Sequence, residues 1–213
     1  HAMGISINEY LVSVYIWSVY TECLHGMPSK CPIRVAVPVN LRPYFNSITT
    51  KNFFVMVSAE FHPTKETYTF AEVAAIVKES LRSQINRENL EKLFSYNVSN
   101  EKLLIARVVP LFLKNLAMKY VYTTSALANT ATITNIGNIS VTEEYRPYVE
   151  MFHAFLAMSK GQHLKGTICS YGDTLVFSFS YDLVDASVQR GFFRKIASDG
   201  IAVEIKSNGV NYE

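Results

Sequence analysis

The stretch that decides the fold is Ile33-Arg34-Val35-Ala36-Val37-Pro38-Val39-Asn40-Leu41-Arg42-Pro43, followed after a short loop by Lys51-Asn52-Phe53-Phe54. In its first part, β-branched residues occupy every second position, and this period of two predicts a β-strand. Pro38 has no amide hydrogen to give to a neighbouring strand, so we expect that end of the strand at an edge or a bulge. Arg42-Pro43 then ends the strand in a loop, where functional residues tend to lie.

The sequence on both sides of this stretch predicts further helices and strands. Ser6 and Glu9 have the spacing of a capping box, and residues 10–20 are so apolar that we expect their helix to be buried on nearly all sides. Four more helices are predicted at 70–85, 87–94, 103–122 (kinked, or begun afresh, at Pro110) and 186–198 (capped by Asp185). Six more strands are predicted at 53–62, 132–141, 150–158, 166–171, 175–181 and 201–205.

This order of elements predicts the fold class and the domain organisation. We expect one α/β domain over residues 4–213, a two-layer sandwich in which helices pack against a mixed β-sheet. A length of 213 residues suits one domain of generous size. His1-Ala2-Met3 is interpreted as a cloning remnant.

Composition and charge argue against several classes of protein. The chain is 49% hydrophobic and 18% charged, which is typical of a folded protein and not of a disordered one. Its 20 basic and 18 acidic residues leave a net charge of +2, too small a field to predict nucleic acid as the main partner. The longest apolar stretch, at 10–21, is shorter than the roughly 20 residues of a membrane span, so none is predicted.

The three cysteines, Cys23, Cys31 and Cys169, have neither a C-x-x-C pair nor metal-ligand spacing. They cannot all be bridged, and a chain of this size needs no disulfide for stability. We therefore expect reduced thiols in a cytoplasmic protein, and no bound metal.

Several segments, taken in order, resemble the chloramphenicol-acetyltransferase-like superfamily. This superfamily contains the condensation domains of peptide synthetases, plant acyltransferases and microbial alcohol acetyltransferases. The segments are the stretch from Ile33 to Phe54 quoted above, the helix opening Gly4-Ile5-Ser6-Ile7-Asn8-Glu9-Tyr10-Leu11, the strand Thr134-Asn135-Ile136-Gly137, and the closing Phe192-Phe193-Arg194-Lys195-Ile196 with Val203-Glu204-Ile205. Together they span residues 4–208, and the closing segment is most similar to the alcohol acetyltransferase branch.

The resemblance implies the C-terminal half of such an enzyme, without the half that carries the catalytic motif. The superfamily's His-x-x-x-Asp-Gly lies in the N-terminal half, and no histidine of this chain has an aspartate four residues later. His62 has Glu66 at that spacing, next to Pro63, and is interpreted as a residue of a solvent-facing turn. We therefore assign no catalytic residue, and we expect the chain to be inactive alone.

The same resemblance implies acyl transfer from a CoA thioester to an alcohol or amine. Acyl-CoA would be the co-substrate, with no tightly bound cofactor, and the partners would be the missing N-terminal half and a small-molecule acceptor. Two alternatives stay open: a condensation domain whose thioesters arrive on carrier proteins, and a non-catalytic binding module derived from the fold. A half-fold this apolar is also expected to expose an apolar patch, to which the helix at 10–20 could contribute, and so to form homo-oligomers.

Five residues are candidates for the wall of the substrate tunnel or for a structural brace: Asn40, Arg42, Asn52, Asn135 and Gly137. The resemblance implies that Arg42 braces the region of the catalytic aspartate across the junction of the halves; a substrate contact and an ordinary surface arginine are the alternatives. An unpaired amide at Asn135, in mid-strand, would cost about 1–3 kcal/mol, so it must bond a neighbouring backbone group or a group at the mouth of the tunnel. Gly137 suggests a bulge or a close approach of backbone.

Overall fold

The computed structural model describes residues 4–102, 109–159 and 161–208, with the side chains of 97–102 and 125–127 left aside. Within these ranges, five strands form one mixed sheet in the order β2-β1-β3-β4-β5. The elements in chain order are α1 (Ile7–Glu22), β1 (Ile33–Asn40), α2 (Arg42–Phe45), β2 (Phe54–Phe61), α3 (Phe70–Gln84), α4 (Arg87–Lys102), α5 (Leu111–Leu127), β3 (Ala131–Asn138), a 3₁₀ helix (Glu143–Tyr148), β4 (Leu164–Tyr171), β5 (Thr174–Tyr181) and α6 (Ser187–Ser198). The predicted fold class, a mixed sheet with helices packed against it, is confirmed.

Helix α1 is the central helix of the core. Its predicted capping box is present: the Glu9 amide donates to Ser6 Oγ at 3.1 Å, and the Ser6 amide donates to Glu9 Oε2 at 2.7 Å. The helix packs against β1, α3 and α6, and its side chains from Leu11 to Tyr20 are buried, apart from a half-buried Trp17. Burial on nearly all sides is thus confirmed. The expectation that this helix contributes to an exposed apolar patch is wrong, because α3 and α6 cover it.

Strand β1 pairs fully with one neighbour and only briefly with the other. It is antiparallel to β2 along its whole length, but its parallel pairing with β3 ends at Ala36 opposite Thr132. The amide of Thr130 donates to the carbonyl of Arg34 at 2.8 Å. A parallel ladder repeats every second residue, so its next donor on β1 after Ala36 would be residue 38. That residue is Pro38, and β1 and β3 pair no further. The expected edge is therefore present at this end of β1, although the strand itself lies between β2 and β3.

The outer edge of β2 is covered by polar side chains of α3. Gln84 Oε1 accepts from the amide of Ser58 at 3.2 Å, and Gln84 Nε2 donates to the carbonyl of Ser58 at 2.9 Å. Ser80 Oγ accepts from the amide of Glu60 at 3.0 Å. Unpaired backbone groups at the edge of a sheet can pair with another chain. Here the side chains of Ser80 and Gln84 bind these backbone groups instead.

The hairpin of β4 and β5 fills the other end of the sheet. Its turn lies at Gly172-Asp173, between the strands predicted at 166–171 and 175–181, with Tyr171 opposite Thr174. Rings from β5 pack against α6: the centroids of Phe177 and Phe192 lie 4.3 Å apart, and those of Phe179 and Phe192 lie 5.1 Å apart. These aromatic contacts fix α6 on the same face of the sheet as α1.

Two of the predicted strands, at 150–158 and 201–205, are wrong, since neither segment joins the sheet. A short apolar run becomes a strand only where a neighbouring strand accepts its backbone groups. Residues 201–205 have no such neighbour in the described part of the chain, and Ile205 is 66% exposed. Residues 150–158 lie flat over β4 instead, as described below.

Several helix boundaries also differ from the predicted ones. Helix α4 extends to Lys102 instead of ending near 94, and α5 begins directly after Pro110, which was one of the two alternatives. The predicted start of that helix, at 103–108, lies outside the described residues. Helix α6 begins at Ser187, and the carboxylate of Asp185 accepts from the Ser187 amide at 3.0 Å, one position before the N-cap. Among the described residues, no helix is long and apolar enough to cross a membrane.

Candidate functional site

The candidate site lies where β1 and β3 separate. The two strands are parallel, so their carboxyl ends meet the same edge of the sheet, and beyond Ala36 and Thr132 they no longer pair. In open α/β sheets, ligands bind outside the carboxyl ends of strands, where neighbouring strands part. Asn40 is the last residue of β1 and Arg42 is the first residue of α2, while Asn135 and Gly137 lie in the second half of β3. The structure therefore brings four of the five predicted residues to one edge.

Arg42, the first residue of α2, braces the loop between α2 and β2. Its Nε donates to the carbonyl of Thr49 at 3.0 Å, and its Nη2 donates to the carbonyl of Lys51 at 2.7 Å. Asn40 Oδ1 accepts from the Arg42 amide at 3.1 Å and from Nη1 at 3.3 Å. Asn40 and Arg42 thus act together as a brace within this chain. A contact between Arg42 and an aspartate of another half stays a prediction.

Asn52 lies exposed between this braced loop and β2. Its position directly after Lys51, whose carbonyl Arg42 binds, fixes the backbone that carries it. Phe53 follows, and its ring contacts Phe45 and Phe94 at centroid distances of 6.3 and 5.2 Å. Asn52 thus lies two residues before Phe54, the residue of β2 that pairs with Asn40. Its role in the candidate site stays a prediction.

The side chain of Asn135 forms a hydrogen bond within β3. Its Oδ1 accepts from the amide of Gly137 at 2.8 Å, which is the first of the two alternatives that the sequence left open. Gly137 has a φ of +86°, and the β3–β4 register shifts between Asn135 and Gly137. The predicted bulge is therefore present. Apart from its two chain neighbours, the described residues place no heavy atom within 4 Å of where a Cβ of Gly137 would stand, so the backbone is open to an approaching group.

The described histidines do not form a catalytic group at this edge. The ring of His62 lies 3.0 Å from the carbonyl of Ser29, in an exposed turn, which agrees with its interpretation as a turn residue. His163 Nδ1 lies 2.9 Å from Asp182 Oδ1, a pair that sequence spacing could not reveal because 19 residues separate the two. This exposed pair closes the open end of the β4–β5 hairpin, at the amino end of β4. It lies at the opposite edge of the sheet from the candidate site.

The cysteines and acidic residues supply no further chemistry at the site. Cys23 and Cys31 are exposed free thiols, and Cys169 is a buried free thiol. Burial raises the pKa of Cys169, so its reactive thiolate is disfavoured. Across residues 4–102, 109–159 and 161–208, no group of three or more His, Cys, Asp or Glu side chains is placed to hold a metal ion.

Solved structures share this fold at low sequence identity. The epimerization domain from the third module of tyrocidine synthetase B matches with a TM-score of 0.53 and 10% identity, over 93% of this chain and 42% of that one. The nonribosomal peptide synthetase FmoA3 matches with a TM-score of 0.55 and 17% identity, over 92% of this chain and 20% of that one. Polyketide synthase associated protein 5 from Mycobacterium tuberculosis matches with a TM-score of 0.55 and 12% identity, over 92% of this chain and 46% of that one.

These likenesses are structural only. No protein-family model and no curated protein sequence matches the chain. The chain spans less than half the length of each of the three solved chains. Identities of 10–17% show a shared fold and no more. The chain therefore shares its fold with an epimerization domain, a nonribosomal peptide synthetase and a polyketide synthase associated protein. This shared fold is consistent with the resemblance that the sequence motifs indicated.

Proposed function

We propose that this chain forms one half of an acyltransferase that moves an acyl group, such as acetyl, from a CoA thioester to an alcohol or amine. The N-terminal half of the same protein would supply the catalytic histidine. This chain would supply the opposite wall of the substrate tunnel, at the carboxyl ends of β1 and β3. Neither half would catalyse alone.

The observation that carries this proposal is the separation of β1 and β3 after Ala36 and Thr132. Pro38 ends the ladder for lack of an N–H, so the sheet opens at one defined place. The positive φ of Gly137 and the free space above it leave a smooth backbone on one flank of the opening. The Asn40–Arg42 brace fixes the other flank.

The chemistry divides between the two halves. A histidine base takes the proton of the acceptor as it attacks the thioester carbonyl, and thiolate of CoA leaves. The developing charge on the carbonyl oxygen needs preorganised hydrogen-bond donors. Groups on the flanks described above would position the thioester, while the apolar face of the sheet would keep water away from it. Holding two reactants in this way supplies much of the rate of a bimolecular reaction.

The direct test is an acyl-transfer assay on the natural protein that carries this chain. We expect ester or amide product, detected by mass spectrometry, from acetyl-CoA and a panel of alcohols and amines. The chain of 213 residues alone should give no product, because none of its histidines has an aspartate four residues later. A second arm offers the acyl group on a carrier protein, and product from that arm alone would identify a condensation domain instead.

A matched pair of proline variants tests whether the opening is the site. Pro38→Ala restores a donor on the β3 side of β1, which should extend the pairing beyond Ala36 and Thr132, narrow the opening and lower kcat by about tenfold or more. Pro28→Ala, in the exposed loop before β1, is the control and should leave kcat unchanged. Equal activity of the two variants would show that the opening between β1 and β3 is not the site. In the acyl-transfer assay, absence of product from every donor would favour a non-catalytic binding module.

A further inference from the structure

Residues 149–159, here called the strap, lie against β4 without pairing to it. They form neither helix nor strand, apart from one bridge between Ser159 and Gln162. The Cys169 thiol donates to the carbonyl of Phe152 at 3.2 Å. At the other end, Lys165 Nζ donates to the carbonyl of Ala157 at 2.7 Å and to Ser159 Oγ at 2.6 Å. The strap therefore runs antiparallel to β4, fastened by two side chains of that strand.

The strap lies on the face of the sheet away from the helices. Side chains alternate between the faces of a strand, and Phe177, which lies opposite Ile168, packs against α6. Lys165, Thr167 and Cys169 must therefore point to the other face, where the strap covers them. Phe152 extends this cover, since its ring meets that of Tyr171 edge to face at 5.3 Å.

Beneath the strap is a row of polar side chains that is buried at a cost. Lys165, Thr167 and the facing Ser178 of β5 are 7%, 2% and 7% exposed. Thr167 Oγ1 is buried without a hydrogen-bond partner among the described residues, and a buried unpaired hydroxyl lowers the stability of the state that buries it. Water would satisfy this hydroxyl as soon as the strap lifted. Burial of the unpaired Thr167 hydroxyl therefore lowers the stability of the closed strap relative to the open strap.

Lys165 supplies the main polar contacts that hold the strap closed. Of the described carboxylates, none forms an ion pair with its ammonium group, so two neutral oxygens of the strap are its hydrogen-bond acceptors. A buried ammonium group must be hydrogen-bonded. Lys165 can therefore stay buried only while the strap lies against β4 and supplies the acceptors. Removing this one side chain removes two of the three side-chain hydrogen bonds that fasten the strap to β4.

We propose that the strap is a hinged cover, closed by Lys165, that opens independently of global unfolding. Opening exposes the polar row of Lys165, Thr167 and Ser178 to solvent and to ligands. It also uncovers Cys169, whose side chain lies under the same segment. The strap thus controls access to the second face of the sheet. This inference does not depend on the proposed acyl transfer.

Cys169 is a built-in reporter for the test. In a Cys23→Ser, Cys31→Ser background it is the only thiol of the chain. Its labelling by a maleimide then measures exposure of the face under the strap. Lys165→Met keeps the length and removes the charge, and we expect labelling about tenfold faster, as loss of hydrogen bonds to a charged group predicts. Ser159→Ala removes one acceptor only and should give a smaller increase, while Lys30→Met in an exposed loop is the control and should give none.

Urea separates opening of the strap from global unfolding. Labelling through strap opening exposes little surface, so its rate should change little at urea concentrations below the unfolding transition. The proposal is overturned if labelling in the parent rises with urea as steeply as global unfolding, or if Lys165→Met labels no faster than Lys30→Met. If Lys165→Met does not fold, Ser159→Ala decides by the same comparison. Faster labelling of Lys165→Met that stays nearly independent of urea below the unfolding transition supports the hinged cover.

Discussion

Glu9 joins the beginning of α1 to the end of α3. One of its oxygens accepts from Arg82 Nε at 2.7 Å, and the other accepts from Arg82 Nη2 at 3.1 Å and from the Ser6 amide at 2.7 Å. Glu9 is itself buried, and Arg82 is half-exposed. The hydrogen bond from Arg82 holds the pKa of Glu9 below its usual value, against the opposing effect of burial and with help from Ser6. One carboxylate thus serves a helix cap and an interhelical ion pair.

The first prediction concerns the loss of Arg82. Arg82→Met leaves the Glu9 carboxylate buried without its cation, and we expect unfolding free energy to fall by about 1–3 kcal/mol at pH 7. A pKa that is lower in the folded state contributes stability above the unfolded value and loses it as pH falls through the folded value. The difference between parent and variant should therefore shrink when urea unfolding is repeated below pH 4.

Lys92→Met is the matched control for this prediction. It removes the partner of Glu88, an exposed ion pair on α4, and such pairs contribute at most about 1 kcal/mol. A loss of stability in Arg82→Met no larger than in Lys92→Met would show that Glu9 does not need its partner.

Single residues of the candidate site were predictable where a local rule acts on them. The bulge at Gly137 and the open side of β1 at Pro38 follow from backbone chemistry that each residue carries with it. The partners of Arg42 were not predictable, because the carbonyls of Thr49 and Lys51 reach it only through the shape of the intervening loop. Likewise, no spacing rule joins Lys165 to Ala157, since the strap must first fold back over β4.

At the scale of elements, the strap shows that alternating exposure does not require a strand. In the structure, exposure alternates along 152–158, although this segment forms no ladder with β4. The half-buried side chains come from lying flat on β4, and the polar bonds come from Lys165 and Cys169 instead of a ladder. An alternation of buried and exposed residues shows that one side of a segment is covered. It does not show whether a neighbouring strand pairs with that segment.

The second prediction compares two glycines in regular elements. A Cβ at Gly166 on β4 would lie 2.7 Å from Phe177 Cζ and 3.1 Å from Ile133 Cγ1, deep in the core. Gly166→Ala should therefore destabilise the fold by about 1–3 kcal/mol, the usual cost of overpacking. Chemical denaturation with intrinsic fluorescence measures this change.

Gly191→Ala on α6 is the comparison. Its Cβ would meet the side chain of Glu22, a half-buried residue at the end of α1 that can rotate away. Alanine gains about 1 kcal/mol of helix propensity over glycine, which offsets the contact. We expect stability within about 1 kcal/mol of the parent, and a larger loss at Gly191 than at Gly166 would contradict the packing described for β4.

At the scale of the whole molecule, the apolar surface is concentrated on α5. Its side chains from Leu111 to Thr124 are exposed apart from a half-buried Lys114, and they include Phe112 at 70%, Leu116 at 67% and Tyr120 at 75%. A helix that is apolar on most sides is ordinarily buried. The sequence predicted both the helix and an exposed patch, but the contributor that it suggested was α1, because composition alone does not say which of two apolar helices the sheet covers.

The last prediction is that this surface makes the isolated chain self-associate. Large exposed apolar patches mark sites of interaction, and α5 carries no acidic residue to oppose contact between copies. Phe112 and Leu116 lie one turn apart on the same side of the helix. Replacing both by lysine should therefore shift the sedimentation coefficient towards that of the monomer and reduce the fluorescence of a bound hydrophobic dye.

Ile48→Lys is the control for this prediction. Ile48 is 99% exposed in a loop far along the chain from α5, so its replacement should change neither measurement. A parent chain that stays monomeric at high concentration and binds no dye would contradict this prediction.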